Sequence, residues 1–493
     1  MNKQVKHLAI ALPVALSLAA CADDGFNNDE KWVTSVKNSQ LDNPTEITYT
    51  KTTTSDTTKT IVFTWPVVHG AGGYLVTINN VFDPTAPFAV ITDTLVDRCS
   101  FSYDLPSEQE YQFVIRTAAN EKYNNKQAES TSVLAFDTYV PSVEIPNGSE
   151  ISSWLAANLH DSDVEQGFTL AAGGSYTLDT LADFGTNIVE FRGNKNNRPT
   201  VTLGEKGGFA TSGGLKLVHV NFDCTNATGQ TGIINMGSNP SESLMKKYSS
   251  DANSSYYHDE SPVQAQNCTF KAVPNAFFAD GGATWCVKTF TIDNCIIELN
   301  PDDSKLGSTG YPFIDFTHTG ITIKDITFSN STIINLKKSS AYFIRFSNGS
   351  NASIQKAYGK SYTGSFVMDH CTLVRCTASG QFGNNCWTSG NATTISWNGV
   401  IFYDCCLLQK LVRNLPCTFT NADNTIWGVT KETDSTDQSK FATLEDPVFE
   451  AGDYTVDVIE SLDLSKENGG LNLKPTNGIA AAQQYGDPRW FVE

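Results

Sequence analysis

The chain has 493 residues and a formal net charge of −19, and it is long enough for two or three domains with a large core. The acidic balance argues against nucleic acid or an anionic membrane surface as a partner, and it leaves Ca²⁺ as a possible ligand because that ion needs carboxylate oxygens. Only 18% of the residues are charged and 36 are glycine, which predicts an all-β exported protein and not a helical cytosolic enzyme.

Residues 1–20 form a predicted lipoprotein signal peptide. Two lysines precede an apolar run of thirteen residues, 8–20, which is too short to span a bilayer. The run ends in Leu-Ala-Ala-Cys at residues 18–21, which resembles the lipobox of bacterial lipoproteins. Cleavage before Cys21 would make this thiol the lipid-bearing N-terminal residue, so that the lipid is the only attachment to a membrane. An ordinary secretory signal is the alternative.

The segment 21–42 is predicted to be a polar tether. It opens with Ala22, Asp23 and Asp24, and this acidic start resembles the surface-export signal of Bacteroidetes lipoproteins. The resemblance implies a lipid-anchored protein on the outer face of the outer membrane.

Residues 43–140 are predicted to form a β-sandwich. Strand patterns occur at 60–65 and 73–78, and a Leu-Pro pair at 105–106 precedes large residues that alternate at 111, 113 and 115. These features resemble fibronectin type III domains, in which the Leu-Pro and the tyrosine stabilise a seven-stranded sandwich. The resemblance implies a spacer domain without chemistry of its own.

A short phrase recurs along the second half of the chain: an alternating strand, one bend residue, and a second strand. The bend residues are Asn267, Asn294, Asn330, His370 and Asp404. Asn, Asp and His are the non-glycine residues that best tolerate a left-handed backbone. The copies are 27, 36, 40 and 34 residues apart, which indicates one fixed corner with variable loops elsewhere. This pattern predicts a parallel β-helix.

In this β-helix the five bend residues are predicted to stack in one column, beside a column of buried apolar residues. That second column comprises Phe270, Ile297, Ile333, Leu373 and Leu407. An amphipathic helix at 151–159 is predicted to cap the first coil of a domain that spans 145–493. A β-sandwich of repeated hairpins is the alternative, although hairpins do not repeat one bend residue with the same neighbours.

The chain has twelve cysteines, and removal of Cys21 leaves an odd number. Five of them lie in or beside the bends: Cys268, Cys295, Cys371, Cys405 and Cys406. Free cysteine packs as a small apolar residue, so we expect an inward cysteine column with few or no disulfides. No pair has the spacing of a zinc site, and we expect no structural metal.

The stretches 168–178, 187–193, 199–203 and 215–222 resemble the pectate-lyase-like β-helix superfamily. The ending Tyr-Gly-Asp-Pro-Arg-Trp at 485–490 resembles the closing motif of β-helix lipoproteins encoded with Bacteroidetes glycan-uptake systems. Together these resemblances imply a right-handed parallel β-helix, a polysaccharide ligand, and components of an outer-membrane glycan transporter as partners.

No catalytic residue is predicted. The Asn-Thr-Asp and Gly-His-Gly phrases of polygalacturonase-like members are missing from the sequence. The lyase members use an Arg or Lys base with Ca²⁺ or a second cation, which needs only an outward cation beside acidic residues. The resemblance therefore leaves a lyase open.

Two similar strands, 311–316 and 342–346, are predicted to be neighbours on consecutive coils. Alternation directs Asp315 and Arg345 outward, about 4.8 Å apart, and Asn235 is placed in the same row. A row of Asn, Asp and Arg on a flat sheet is a candidate sugar-binding line. A structural cross-strand ion pair is the equal alternative.

Further candidate glycan-binding residues lie in polar loops. They are Lys356, Tyr358, Lys360, Tyr362, Trp285 and Trp387. Lysine can meet a uronate carboxylate, whereas tyrosine and tryptophan can stack on a pyranose face. The alternatives are a solvated hairpin for 355–362 and tryptophans folded over the coil edge.

Three functions remain open at this point. The favoured one is a surface lipoprotein that binds an extracellular polysaccharide, acidic or pectic, without catalysis. The second is a β-helix polysaccharide lyase that acts on a uronate-containing glycan, and the third is an adhesin or structural protein. Binding explains the anchor, the spacer, the scaffold and the missing catalytic phrases together.

Overall fold

The structure, a computed structural model, describes residues 36–55, 58–238, 240, 245–247, 256–258, 262–302, 312–318, 323–337, 342–346, 364–376, 382–384, 393–405, 418–419, 424–427, 445–455 and 459–492. The chain separates into two units after Val140. Both units are built from β-strands, and the long parallel sheets belong to the second.

The first unit contains two antiparallel sheets. Its strands are β1 (Thr48–Ser55), β2 (Thr58–Thr64), β3 (Tyr74–Asn80), β4 (Phe88–Val96), β5 (Ser100–Pro106), β6 (Glu110–Thr117) and β7 (Ser132–Asp137). One sheet has the order β1-β2-β5 and the other has the order β4-β3-β6-β7. A short 3-10 helix, Glu121–Tyr123, lies between β6 and β7.

Alternating apolar residues give this unit one core. In β2 the buried residues are Ile61 and Phe63, and β6 alternates between buried and half-buried residues along its whole length. Phe63 of the three-stranded sheet stacks on Phe113 of the four-stranded sheet, with ring centroids 4.1 Å apart. Because both sheets contribute to the same core, the unit is a sandwich-like region.

The second unit contains three long parallel sheets. Sheet 1 comprises β8 (Ser142–Ile145), β9 (Gln166–Leu170), β12 (Ile188–Arg192), β15 (Gly214–Val218), β20 (Val263–Gln266), β24 (Thr289–Asp293), β27 (Asp325–Ser329), β30 (Gly364–Asp369), β33 (Thr393–Asn398) and β35 (Thr418–Phe419). Sheet 2 comprises β10 (Ser175–Leu178), β13 (Thr200–Leu203), β16 (Asn221–Asp223), β21 (Thr269–Val273), β25 (Ile296–Leu299), β28 (Thr332–Asn335), β31 (Thr372–Val374), β34 (Val400–Tyr403) and β36 (Asn424–Trp427). Sheet 3 comprises β11 (Leu181–Asp183), β14 (Gly208–Thr211), β17 (Gly232–Met236), β22 (Ala276–Ala279), β26 (Ile314–Phe316), β29 (Ile344–Phe346) and β32 (Gly383–Asn384).

Smaller elements accompany these sheets. A separate small sheet contains β18 (Met245–Lys247), β19 (Tyr256–His258) and β23 (Cys286–Val287). Among the described residues of this unit, the helices are α1 (Ile151–Asn158) and α2 (Gly478–Ala482), with 3-10 helices at Glu467–Gly470 and Pro488–Phe491. Helix α1 forms where the sequence predicts it, and it buries Ile151 and Leu155 in the same core as the first strands.

Successive strands visit sheets 1, 2 and 3 in a repeating order, and each strand pairs in parallel with its counterpart from the preceding pass. Thus β12, β13 and β14 are followed by β15, β16 and β17, which pair with them one to one. The register is kept along sheet 2, where Phe222, Phe270 and Ile297 stand opposite one another. This all-β arrangement is compatible with a parallel β-helix.

The corner between sheets 1 and 2 is made by residues with left-handed backbone. Of the predicted column, Asn267, Asn294, Asn330 and His370 have φ between 48° and 53°, and each follows a register-matched strand of sheet 1. The prediction of positive φ and of a shared column is confirmed for these four residues. Within the column the Asn294 side-chain amide donates to Asn267 Oδ1 over 2.5 Å, whereas Asn330 Nδ2 donates to Asp293 Oδ1 over 3.2 Å.

The prediction that Asp404 lies in this corner column is wrong. Asp404 has a φ of 49°, but it follows β34 in sheet 2, in the way that Arg375 follows β31. The corner residue of that pass is Gly399, with a φ of 62°, and Phe402 continues the buried column opposite Leu373. Leu407 lies outside the described residues.

The corner column also extends further toward the N-terminus than the sequence suggests. His219, with a φ of 57°, follows β15 and precedes β16. Its place matches that of Asn267, because Val218 stands opposite Gln266.

The predicted buried column and the cysteine column are both inside the unit. Phe270, Ile297, Ile333 and Leu373 are at most 1% exposed. Eight described cysteines are free thiols: Cys99, Cys224, Cys268, Cys286, Cys295, Cys371, Cys376 and Cys405. All of these except Cys99 are buried, and Cys406 lies outside the described residues.

The described C-terminal residues, 445–455 and 459–492, include a cover on the outer face of sheet 2. Phe449, Leu462 and Trp490 pack with Ile296 and Ile401 of the sheet in a second hydrophobic cluster. Removing these outward apolar side chains from water stabilises the cover.

The predicted closing motif fixes this cover through Asp487, which is fully buried. Its carboxylate accepts from the Thr332 hydroxyl over 2.9 Å and from Arg489 Nε over 2.6 Å, and its amide donates to the Thr372 hydroxyl over 3.0 Å. The motif at 485–490 therefore has a structural role.

Candidate functional site

The predicted polar row exists on sheet 3. The backbone register places Ala210, Asn235, Ala279, Asp315, Arg345 and Asn384 opposite one another on six successive strands. The strands that carry Asp315 and Arg345 are direct neighbours, as predicted. Ile314 and Phe316 are buried opposite Ile344 and Phe346, which leaves Asp315 and Arg345 on the outward side.

Asp315 and Arg345 form a bidentate ion pair. Arg345 Nε donates to Asp315 Oδ1 over 2.8 Å, and Arg345 Nη2 donates to Asp315 Oδ2 over 2.6 Å. The Asp315 side chain is 11% exposed and that of Arg345 is 23% exposed. Such two-pronged, charge-assisted contacts are strong and fix the plane of the guanidinium. The pair therefore presents a rigid, partly accessible cation at the sheet surface.

The two partners shift each other's protonation. Hydrogen bonding to Asp315 raises the pKa of Arg345, so the guanidinium stays charged. Burial raises the pKa of Asp315, an effect that Arg345 opposes and the carboxylate of Asp280 reinforces. The local field is thus set by one half-buried arginine and the two carboxylates near it.

Asp280 and His318 also belong to this cluster, and neither was predicted as a site residue. Asp280 follows β22 and is 3% exposed. It accepts from the backbone amides of Gly282 over 3.0 Å and His318 over 2.6 Å, and its Oδ1 lies 2.9 Å from His318 Nδ1. The His318 side chain is 61% exposed, so it is the accessible edge of the cluster.

A sequence signal for Asp280 existed. Each of β22, β26 and β29 carries a phenylalanine at or just before its start, and these rings stack in the core: Phe277 on Phe313 at 4.9 Å, and Phe313 on Phe343 at 5.0 Å. Aligning these phenylalanines places Asp280 one residue beyond the row. His318 had no comparable signal, because it reaches Asp280 through a turn after β26.

Asn235 lies in the row, but its amide is engaged inside the protein. Its Oδ1 accepts from the Thr231 hydroxyl over 2.8 Å and from the Gly232 amide over 3.1 Å, while its Nδ2 donates to the Gly232 carbonyl over 2.7 Å. With 4% exposure, Asn235 shapes the turn before its own strand.

Trp285 is placed in the core and not on a surface. It is 3% exposed, and its indole N–H donates to the Gly237 carbonyl over 3.0 Å. This matches the alternative of a tryptophan folded over the coil edge. The remaining candidates lie outside the described residues: Cys21, Lys356, Tyr358, Lys360, Tyr362 and Trp387.

The arrangement offers donors and acceptors on a flat, rigid surface. Arg345 and His318 provide the accessible donors, whereas the carboxylates of Asp280 and Asp315 are largely buried and hold these two side chains in place. Among the described residues, no group of three or more His, Cys, Asp or Glu side chains is placed to hold a metal ion. Every helix in the described ranges is too short or too polar to cross a membrane.

Comparisons with known proteins give families without an assigned activity. Residues 1–173 match DUF4992, a domain of unknown function, and residues 174–336 match DUF4957, also a domain of unknown function. The border between the two matches falls between β9 and β10, inside the second structural unit. Searches of curated proteins and of solved structures found no match.

Proposed function

We propose that this protein is an outer-membrane surface lipoprotein that binds an extracellular polysaccharide for a glycan-uptake system. The observation that carries the proposal is the cluster of Asp280, Asp315, Arg345 and His318 on the outward side of sheet 3. The lipobox-like sequence before Cys21 supports the anchor and the acidic stretch after it supports surface exposure, as the sequence resemblance implies.

We also propose a specific fold for each unit. The three sheets are the faces of a right-handed parallel β-helix of the pectate-lyase-like kind, supported by the repeating order of sheets and the shared corner column. The first unit is a fibronectin type III-like spacer. Its division into three and four strands supports this, as does the Tyr111 hydroxyl that donates to the Pro106 carbonyl over 3.4 Å.

A polysaccharide fits this surface because a stack of parallel strands is long and flat, like an extended sugar chain. Arg345 is held in one orientation by Asp315, so little side-chain entropy is lost when it donates to a sugar oxygen. His318 stands exposed beside it and offers a planar ring for contact with a pyranose face.

A polysaccharide lyase is the second candidate, because the cluster combines a cation with two nearby carboxylates. A base that removes a proton from the sugar needs a lowered pKa. Hydrogen bonding to Asp315 instead raises the pKa of Arg345. This direction favours a binding role for Arg345 over a catalytic one.

The proposal is tested by affinity electrophoresis of the full-length protein in gels that contain acidic or neutral plant and host polysaccharides. We expect retardation by at least one polysaccharide without a rise in ultraviolet absorbance from unsaturated products. Retardation with such a rise would identify a lyase. Migration unchanged in every gel would contradict polysaccharide binding.

A further inference from the structure

A polar cavity lies on the outward side of sheet 2, at the end of the C-terminal cover. It has a volume of about 480 Å³, within the range of about 300–1,000 Å³ that is usual for small-ligand sites. Its floor is the outward side of sheet 2 at Asn221, Thr269 and Ile296, which stand opposite one another in register. Its walls are the segments 195–198 and 464–469 together with Arg489.

The lining is rich in cations, although the chain as a whole is acidic. Four cationic side chains line the cavity, Lys195, Arg198, Lys466 and Arg489, against one acidic side chain, Glu467. Arg489 donates to Asp487 over 2.6 Å, and Lys466 lies 3.6 Å from Asp463.

Arg198 is the distinctive member of this set. Within the part of the chain that the structure describes, no carboxylate lies within ion-pair distance of it, and its contact is a long hydrogen bond of 3.4 Å from Nη1 to the Thr269 hydroxyl. A half-buried guanidinium in this setting is costly unless an anion reaches it. Its fork-shaped donors match the planar geometry of a carboxylate or sulfate.

The surrounding field is positive. Burial lowers the pKa of Arg198; Cys268 and Cys295 oppose this shift, and the nearby charge of Arg489 adds to it. At the corner of sheets 1 and 2, burial lowers the pKa of His219 to about 3, with Arg192, Arg198 and Lys195 adding repulsion. His219 is therefore neutral at physiological pH. The four cationic side chains that line the cavity attract an anion.

We infer that this cavity binds an anionic substituent of a sugar, either the carboxylate of a uronic acid or a sulfate ester. The anionic class follows from Arg198 and the cations around it, whereas the sugar rests on the proposed function. The site is separate from the Asp280–Arg345 cluster, which lies on sheet 3.

Calorimetric titration of the full-length protein at low salt tests this inference. The probes are galacturonic acid for the carboxylate, glucose 6-sulfate for the sulfate, and galactose as the neutral match. We expect at least one anionic sugar to bind and galactose not to bind. Arg198→Gln should weaken that binding by about tenfold or more, because it removes a charge-assisted partner. The matched control Lys206→Gln removes a charge from an exposed turn outside the cavity and should leave affinity within about twofold.

The melting temperature of each variant shows whether the protein is folded. If Arg198→Gln does not fold, Lys195→Gln replaces it, and this variant should also weaken binding. Equal binding of galactose and the anionic sugars would overturn the inference, as would unchanged affinity in the cavity variants or the lack of any binding. If an anionic sugar binds but no polysaccharide retards the protein, the proposed function fails and the anion site stands.

Discussion

Replacing Arg345 by Met is expected to destabilise the second unit more than replacing Asp315 by Asn, although both changes break the same bidentate ion pair. Arg345→Met leaves the Asp315 carboxylate, which is 11% exposed, beside the carboxylate of Asp280. Stranding a buried charge costs about 3–5 kcal/mol in full burial, and the partial access here reduces this to about 2–4 kcal/mol. Asp315→Asn leaves an arginine that is 23% exposed and can turn toward water, at a cost of about 1–2 kcal/mol.

The cost of Arg345→Met should depend on pH. Burial raises the pKa of Asp315 already in the intact pair, and the loss of Arg345 removes the interaction that opposes this shift. Between the unfolded pKa and the higher folded pKa, the folded state holds a proton that the unfolded state has lost, so stability falls as pH rises through this window. The destabilisation should therefore shrink as pH is lowered from 7 toward the unfolded pKa of about 4.

Differential scanning calorimetry of wild type, both single variants and the double variant measures these costs and resolves the unfolding of the two units. Asp315→Asn is the matched control, because it removes the ion pair and one of its two acceptors without stranding a carboxylate. Equal costs for the two single variants, or a cost of Arg345→Met that does not change with pH, would refute the buried, bidentate pair.

Three further predictions follow from the fold and the anchor. Asn294→Ala should lower the free energy of thermal unfolding by about 1 kcal/mol more than Asn294→Gly does. Both variants lose the side-chain hydrogen bonds, but only alanine strains the left-handed backbone at φ 48°. Equal losses in the two variants would contradict this. Asp487→Ala should expose the segment 445–492 to limited proteolysis and cost about 3 kcal/mol or more, since Arg489 then loses its buried partner; unchanged cleavage would be inconsistent with its role in the cover. Cys21→Ser should abolish labelling by a fatty-acid analogue and release the protein from membranes, and persistent labelling would contradict the lipobox.

The sequence revealed the corner between sheets 1 and 2 because a left-handed backbone restricts residue choice. Asn267, Asn294 and Asn330 were recognisable since few other residues tolerate that conformation. Asp404 satisfied the same local pattern at a different corner, and only the strand pairing shows that Gly399 occupies its expected place. His219 was missed because Val220 follows it where the other copies have a small cysteine or serine.

The site was predictable only where strand alternation determined it. The register of Asp315 and Arg345 followed from repeated inward residues, whereas the contact of His318 with Asp280 depends on turn geometry that alternation does not encode. Trp285 lies in a polar sequence context that suggested a surface, yet its ring fills the core. The cation-lined cavity joins segments separated by more than two hundred residues, so no local pattern indicated it.

The dissociation constant of a His318→Ala variant shows whether the outward side of sheet 3 binds a polysaccharide. His318 is 61% exposed, so the variant should remain folded while losing a contact with the ligand. Measured by calorimetry against a polysaccharide that retards the wild type, its affinity should fall about fivefold or more. The control His160→Ala is at an exposed histidine whose carbonyl accepts from Gln166 of β9 in sheet 1, and it should bind like the wild type. Equal affinity of His318→Ala and the wild type would contradict a binding site at this cluster.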